Sequence, residues 1–290
     1  MNQKAESLTV LISKIAATVL EYALFCSLLV TGWKRKTVYR NLEYTGEFTG
    51  FLRQNYRQIY IRLLRNLSHH VSEIVIRFNT YKRLPTQVQN YPCKVDREEY
   101  DIDNESRTAI EQMKQGGIFL TAHYGNYEAI GPWLCRLGIP LKASYIPQKP
   151  AWFNRILEER IRAVDGKKYS VNAKTPRDFL KLIDGGNLFC LLMDQDSRIP
   201  SARKGTFLGR MVHINPLPHF LLKHRPETPV YICWIKEEAR GKSKVLHASR
   251  IEGEAAEETF NLWLENQISE NPNFWYGWTH RRFKSTMMRP

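Results

Sequence analysis

The sequence predicts a layered α/β domain with a central, mostly parallel sheet, preceded by an N-terminal hydrophobic helix and a basic amphipathic helix. Three observations carry this. Short apolar runs alternate with helical segments from about residue 100 onward, glycine pairs separate several of them, and the first hundred residues show only helical periodicity. A chain of 290 residues can bury one substantial core with appendages, and we draw boundaries at 1–36, 37–100 and 101–290.

Segment 1–36 reads as a membrane anchor. From Leu8 to Trp33 the only charges are Lys14 and Glu21, and Lys34, Arg35 and Lys36 follow directly. A membrane span needs about 20 apolar residues, so a single span, a helix lying in the membrane plane and a buried helix of a soluble domain all fit. The basic cluster would keep the rest of the chain cytoplasmic by the positive-inside rule. No small-x-small cleavage site precedes it, which argues against a removable signal peptide.

Segment 37–100 is basic. Between Lys34 and Arg83 eleven Lys or Arg face three Glu. Leu52, Tyr56, Ile59, Tyr60, Leu63, Leu64, Leu67, Val71, Ile74 and Val75 recur at helical spacing, while Arg53, Arg57, Arg62 and Arg65 lie mostly off that stripe. Such a helix packs on a core with a solvated cationic face, or rests that face on anionic lipid or an acidic carrier protein. The net charge of +14 fits an acidic partner. Nucleic acid is the weaker choice, since beyond charge there is no RNP, zinc-finger or recognition-helix signature.

In the α/β domain, Glu105–Gln115 reads as a helix ended by Gly116-Gly117, and Ile118–Ala122 as a buried strand. A helix to about Leu137, a strand at 141–146 and a helix at Trp152–Val164 follow. Thr175-Pro176-Arg177-Asp178 starts a helix, with Thr as N-cap, Pro at the first helical position and Asp in the first turn. Gly185-Gly186 closes it. Further strands are expected at Leu188–Met193, Val230–Ile235 and Lys244–Ile251, and a last helix at Ala255–Ile268. Cys26, Cys93, Cys135, Cys190 and Cys233 are scattered without a C-x-x-C pair; they read as small reduced hydrophobes, and no zinc site suggests itself.

The strand Ile118–Ala122 runs into His123-Tyr124-Gly125-Asn126-Tyr127-Glu128. On one regular helix, residues five apart diverge by about 140°. His123 and Glu128 can meet only if His123 lies in a strand-to-helix turn, which Gly125 and Asn126 supply. Glu128 then sits in the first helical turn, where the macrodipole favours its ionised form. A carboxylate beside an imidazole fixes its tautomer, leaving the other ring nitrogen to take a proton from a hydroxyl. By spacing alone the signal is weak, because a turn histidine that merely caps a helix gives the same pattern.

This passage resembles the H-x4-D/E motif of glycerolipid acyltransferases, and HYGNYE is similar to the form found in lipid A late acyltransferases, the lauroyl and myristoyl transferases. Asp194-Gln195-Asp196 after a strand, Gly205–Arg210 and the ending Trp278-Thr279-His280-Arg281-Arg282-Phe283-Lys284 resemble the same family in the same order. Trp152–Gly166 resembles its arginine-containing helix, with Arg162, or else Arg160, at the functional position. One departure stands out: Tyr145-Ile146-Pro147 replaces the Tyr-Arg-Pro that relatives often carry, so one positive charge is missing.

The resemblance implies acyl transfer from acyl carrier protein to a hydroxyl of a lipid A precursor, at the bacterial inner membrane with the catalytic domain facing the cytoplasm. It implies no cofactor, no metal and no Ser or Cys nucleophile. His123 is then the catalytic base and Glu128 its partner. Arg162 would bind a phosphate or stabilise the oxyanion, and Asp194 would hold that arginine; the pair could also be an ion pair that fixes two elements. Arg203, Lys204, Arg281 and Arg282 would bind substrate phosphates or headgroups, or stay solvated beside packed Trp278 and Phe283. The competing readings are an enzyme of the same fold acting on a lysophospholipid, an amino-acid lipid or a glycolipid, and a non-enzymatic membrane-surface protein. Loss of His123 or Glu128 would have favoured the last. A metal hydrolase would need clustered His and carboxylate ligands, which this sequence lacks.

Overall fold

The computed structural model describes residues 3–145, 149, 151–197, 199–238 and 242–287. Its centre is an eight-stranded sheet. In sheet order the strands are β1 (Cys93–Val95), β2 (Glu98–Ile102), β12 (Ser243–Ile251), β11 (Val230–Glu238), β3 (Gly117–Thr121), β8 (Leu188–Leu192), β4 (Leu141–Ser144) and β7 (Ser170–Val171). Pairing is parallel except at the β1–β2 edge and between β11 and β12. Two short hairpins stand outside it, β5–β6 (Ala163–Val164 with Lys167–Lys168) and β9–β10 (Arg203–Phe207 with Arg210–Ile214).

The central strands are apolar throughout because both faces of the sheet are covered. In β3, Ile118 and Leu120 face one core with Phe189 and Leu191 of β8. Phe119 turns to the other, with Tyr231, Ile130 and the fully buried Trp133. The first core is closed by helices α2 (Arg35–Thr49), α3 (Tyr56–Arg77), α7 (Pro176–Asp184), α8 (Leu217–His224) and α9 (Ala256–Glu270). The second is closed by α4 (Ser106–Gln112) and α5 (Tyr127–Arg136). The expected α/β layers with a mostly parallel sheet are therefore present.

Local chemistry sets several boundaries. Thr175 accepts from the Asp178 backbone while Asp178 accepts from the Thr175 backbone, a full capping box with Pro176 at the first helical position. The apolar stripe read from Leu52 begins with a 3-10 turn over Arg53–Asn55 and becomes α-helical at Tyr56, and Leu52 itself is exposed. The helix expected over Trp152–Val164 is shorter. It is α6 (Ala151–Ile156), prolonged by one π turn over Leu157–Ile161 before the chain enters β5. The strand expected to reach Ile146 stops at Ser144; Ile146 and Pro147 lie outside the described residues.

Helix α1 (Gln3–Val30) packs lengthwise on α3. Its stretch Leu8–Val30 is long and apolar enough to cross a membrane, and almost none of it is buried. Behind α3 lies a buried charge cluster. Arg77 Nη1 is 2.7 Å from Glu73 and 2.5 Å from Glu98, and Lys244 Nζ is 3.0 Å from Glu98 and 3.4 Å from Glu73. Lys244 is fully buried. The sheet hairpin β1–β2 begins at Cys93, ahead of the 101 boundary drawn from the sequence.

Candidate active site

The register of two parallel strands builds the site. Thr121 of β3 lies opposite Leu192 of β8. Two residues further along each strand, the same register sets His123 beside Asp194, at the carboxyl ends where open α/β sheets place their chemistry. The His123 ring donates from Nδ1 to Asp194 Oδ1 at 2.8 Å, and its backbone N–H donates to Oδ2 at 3.0 Å. Trp275 Nε1–H is the third donor, at 2.9 Å from Oδ2. With Nδ1–H held by the carboxylate, the Nε2 lone pair is left as the basic position.

Burial pulls His123 toward its neutral form, but the charge and hydrogen bond of Asp194 outweigh it, with a smaller push from Glu128; the imidazole pKa ends above its ordinary value. Burial likewise opposes ionisation of Asp194, yet His123, Trp275 and the His123 backbone hold its carboxyl at about 2. Gln195 Nε2 lies 3.4 Å from His123 Nε2. The Tyr127 ring centroid lies 4.9 Å from that of the imidazole, the planes steeply inclined, and the His280 centroid 5.2 Å from it. Burial, with a smaller push from the charge on His123, lowers the pKa of His280 below its ordinary value.

The strand-to-helix turn is locked from outside. Gly125 adopts φ +56°, a left-handed conformation that costs a glycine little. Asn126 is buried and donates from Nδ2 to Glu237 Oε1 at 3.2 Å and to the Tyr81 hydroxyl at 3.3 Å. Glu237 Oε2 is 2.9 Å from His70 Nε2, and His70 Nδ1 bonds the Tyr276 hydroxyl. The segment around Trp275 then closes on the turn like an added strand. Gly125 N–H donates to Phe274 O at 2.9 Å, Tyr276 N–H to His123 O at 2.8 Å, and Tyr124 bridges Trp275. Gly277 permits this, because a Cβ there would fall 2.0 Å from the Trp275 ring.

Glu128 enters the first turn of α5, as its spacing suggested, but its oxygens are directed elsewhere. Arg162 donates from Nη2 to Oε1 at 2.7 Å and from Nε to Oε2 at 3.4 Å, and its guanidinium lies 5.6 Å from the Tyr145 ring centroid. Burial alone would lower the Arg162 pKa; Glu128 raises it on balance. The expected partners are thus exchanged: His123 pairs with Asp194, and Arg162 with Glu128. The sheet register, which no local spacing encodes, decides this.

The remaining basic residues part ways. Arg203 is about half exposed and bonds Glu257 at 3.0 Å. Lys204 is exposed in β9 opposite His213, and Arg281 is exposed. Arg282 departs from the expected surface role, being 1% exposed. Its Nη1 donates to Gln195 O at 2.8 Å and His213 O at 2.9 Å, its guanidinium stands over Phe207, and burial lowers its pKa to about 10. It therefore braces the loop that carries Asp194 and Gln195. Trp275 and His280 were not singled out from the sequence, although His280 lies within the quoted C-terminal run. Two partly buried thiols are poor nucleophiles: desolvation raises Cys135 and Cys190 to about 12. A cavity of about 310 Å³ near Gln115 and Pro229 opens at the opposite end of β3 from His123.

A family model described as bacterial lipid A biosynthesis acyltransferase matches residues 62–285, more than half of the chain and inclusive of every site residue above. Comparison with curated proteins gave no match.

Proposed function

Since the chain belongs to the bacterial lipid A biosynthesis acyltransferase family, we propose that it transfers a fatty acyl chain from an acyl carrier protein thioester to a hydroxyl of a lipid A precursor, at the cytoplasmic face of the inner membrane. That it is an acyltransferase of lipid A biosynthesis follows from the family; the donor, the acceptor position and the membrane are the proposal. The observation that carries it is the His123–Asp194 pair, with Nδ1 engaged and Nε2 directed away from the carboxylate.

In the proposed reaction His123 Nε2 takes the proton of the acceptor hydroxyl as its oxygen attacks the thioester carbonyl carbon. A C–O bond forms, and the carbonyl oxygen becomes an oxyanion. Its collapse breaks the C–S bond, and the departing thiolate receives the proton from the imidazolium. Asp194 stabilises that imidazolium while it exists. Gln195 Nε2 stands 3.4 Å from His123 Nε2, and the His280 ring packs beside the imidazole; either can donate to a developing oxyanion. The Glu128–Arg162 pair stands next to this centre, where the guanidinium suits an acceptor phosphate. The exposed cations Lys204 and Arg281 supply a basic surface for an acidic carrier protein.

The test is incubation of the detergent-solubilised protein with a panel of acyl carrier protein thioesters and a tetra-acylated lipid A precursor, beside His123→Ala, read by mass spectrometry. A gain of one acyl chain that is absent with His123→Ala is expected. Equal gain in both would remove His123 from the mechanism, and no gain with folded protein would redirect the acceptor to another lipid.

A further inference from the structure

The two charges that interrupt the apolar run of α1 both lie on its inward face. Lys14 Nζ is 3.4 Å from Glu98, and Glu21 Oε2 is 2.9 Å from His69. Ala17, Leu24, Phe25 and Leu28 share that face, at the three- and four-residue spacing of a packed helix. The outward face carries no charge from Leu8 to Val30. Leu8, Ile12, Ile15, Val19, Tyr22 and Val30 are each more than half exposed. At 1.5 Å per residue this uncharged strip is roughly 33 Å long, and water is a poor partner for it.

The helix is docked along its length. Trp33 O accepts from the Tyr60 hydroxyl at 2.8 Å, Glu21 meets His69, and Lys14 reaches Glu98 past the end of α3, so α1 and α3 run antiparallel. Helix α3 exposes Arg57, Arg62 and Arg65. Were α1 upright in a bilayer with these contacts kept, those guanidiniums would be carried into hydrocarbon. Laid flat, the same body leaves them at the polar surface.

We propose that α1 is an interfacial helix, lying in the plane of an anionic bilayer and seated on α3, with its uncharged face among the acyl chains. Exposed Lys34, Arg35 and Lys36 at its C-terminal end match anionic headgroups, which is why an anionic lipid surface and not a second protein is its occupant. This end also adjoins the site. Lys34 contributes to the electrostatics of His280, Asn41 of α2 holds His280 O at 2.9 Å, and His280 neighbours His123. A lipid acceptor would therefore reach His123 past Leu29–Lys34 without leaving the membrane surface. Only that last step rests on the acyl-transfer reading.

The test uses the full chain with Cys26→Ser and single nitroxide-labelled cysteines at Leu11, Ile15, Val19, Tyr22 and Leu29, in vesicles of phosphatidylethanolamine and phosphatidylglycerol. The Cys26→Ser protein alone measures background labelling of the inner thiols. Depth is read from oxygen against nickel-complex accessibility. All five labels should report one shallow depth, about 5–10 Å below the headgroups. A profile that deepens to the bilayer centre near Val19 and rises again would show a span and overturn the proposal. Labels without oxygen enrichment would show that protein covers the strip, which overturns it equally. Neither outcome depends on turnover, so an inactive enzyme would leave this result intact.

Discussion

Asp194 accepts both the ring Nδ1–H and the backbone N–H of His123, at 2.8 and 3.0 Å, across 71 positions of sequence. The double attachment fixes ring orientation and tautomer together. It also makes His123 a stronger base than a solvated histidine, because Asp194 stabilises the protonated ring.

Asp194→Asn should therefore lower kcat about 10³–10⁴-fold, with KM little changed. The pH profile gives a second readout. His123 must be neutral to accept a proton, so the wild-type rate falls as pH drops through its raised pKa. Without the carboxylate that pKa falls, and the acid limb should move to lower pH. An unmoved limb would mean that another group controls it.

Glu128→Gln should act differently, since its oxygens engage Arg162 and its influence on His123 is only through charge. We expect a loss of about 10²-fold, the scale of a misplaced binding group, and smaller than that of Asp194→Asn. In a double-mutant cycle with Arg162→Gln, the two losses should be non-additive by about 0.5–3 kcal/mol. Additive losses would show that the pair does not work as a unit.

How far the sequence carried depended on the range of the interaction. The strands β3 and β8 are legible because burial on both faces demands continuous apolar runs, and the start at Thr175 is legible because a capping box is local. Hairpin β9–β10 escaped because Arg203-Lys204-Gly205-Thr206 is polar; its tight turn uses Leu208 and Gly209, both at positive φ. The His123–Asp194 contact escaped for another reason. Motif spacing drew Glu128 toward His123, whereas the true neighbour depends on how two strands align 71 residues apart. Trp275 stands further still, and its indole gives no pattern from which a carboxylate partner could be read.

Arg282 and Arg281 should separate stability from binding. Arg282→Leu removes the donor to two backbone carbonyls and should destabilise the fold by about 3 kcal/mol, read as a lower denaturation midpoint. Arg281→Ala should leave stability within about 0.5 kcal/mol of wild type, any effect appearing in KM. The reverse pattern would place Arg282 at the substrate.

Lys244→Met leaves Glu73 with Arg77 alone, and Glu98 with Arg77 and the partly exposed Lys14. A loss of about 3–5 kcal/mol is expected, as for other buried ion clusters that lose one partner. Because burial is overcome by Lys244 and Arg77 to hold the Glu98 carboxyl down at about 2, the native protein should lose stability progressively as pH falls below the ordinary carboxylate range toward that value. Denaturant melts at a series of acidic pH values check both statements. Insensitivity in Lys244→Met would show that water reaches the cluster.

The closure of the His123 turn by Phe274, Trp275 and Tyr276 has a consequence in time. A nascent chain stopped short of Trp275 already contains His123, Glu128, Arg162 and Asp194, yet it lacks the indole on Asp194 and the backbone clasp on the turn. Full reactivity should therefore wait until synthesis has passed those positions. Released chains ending before Phe274 and after Lys284, compared for folding of the His123 turn and for acyl transfer, should differ, the shorter one being inactive.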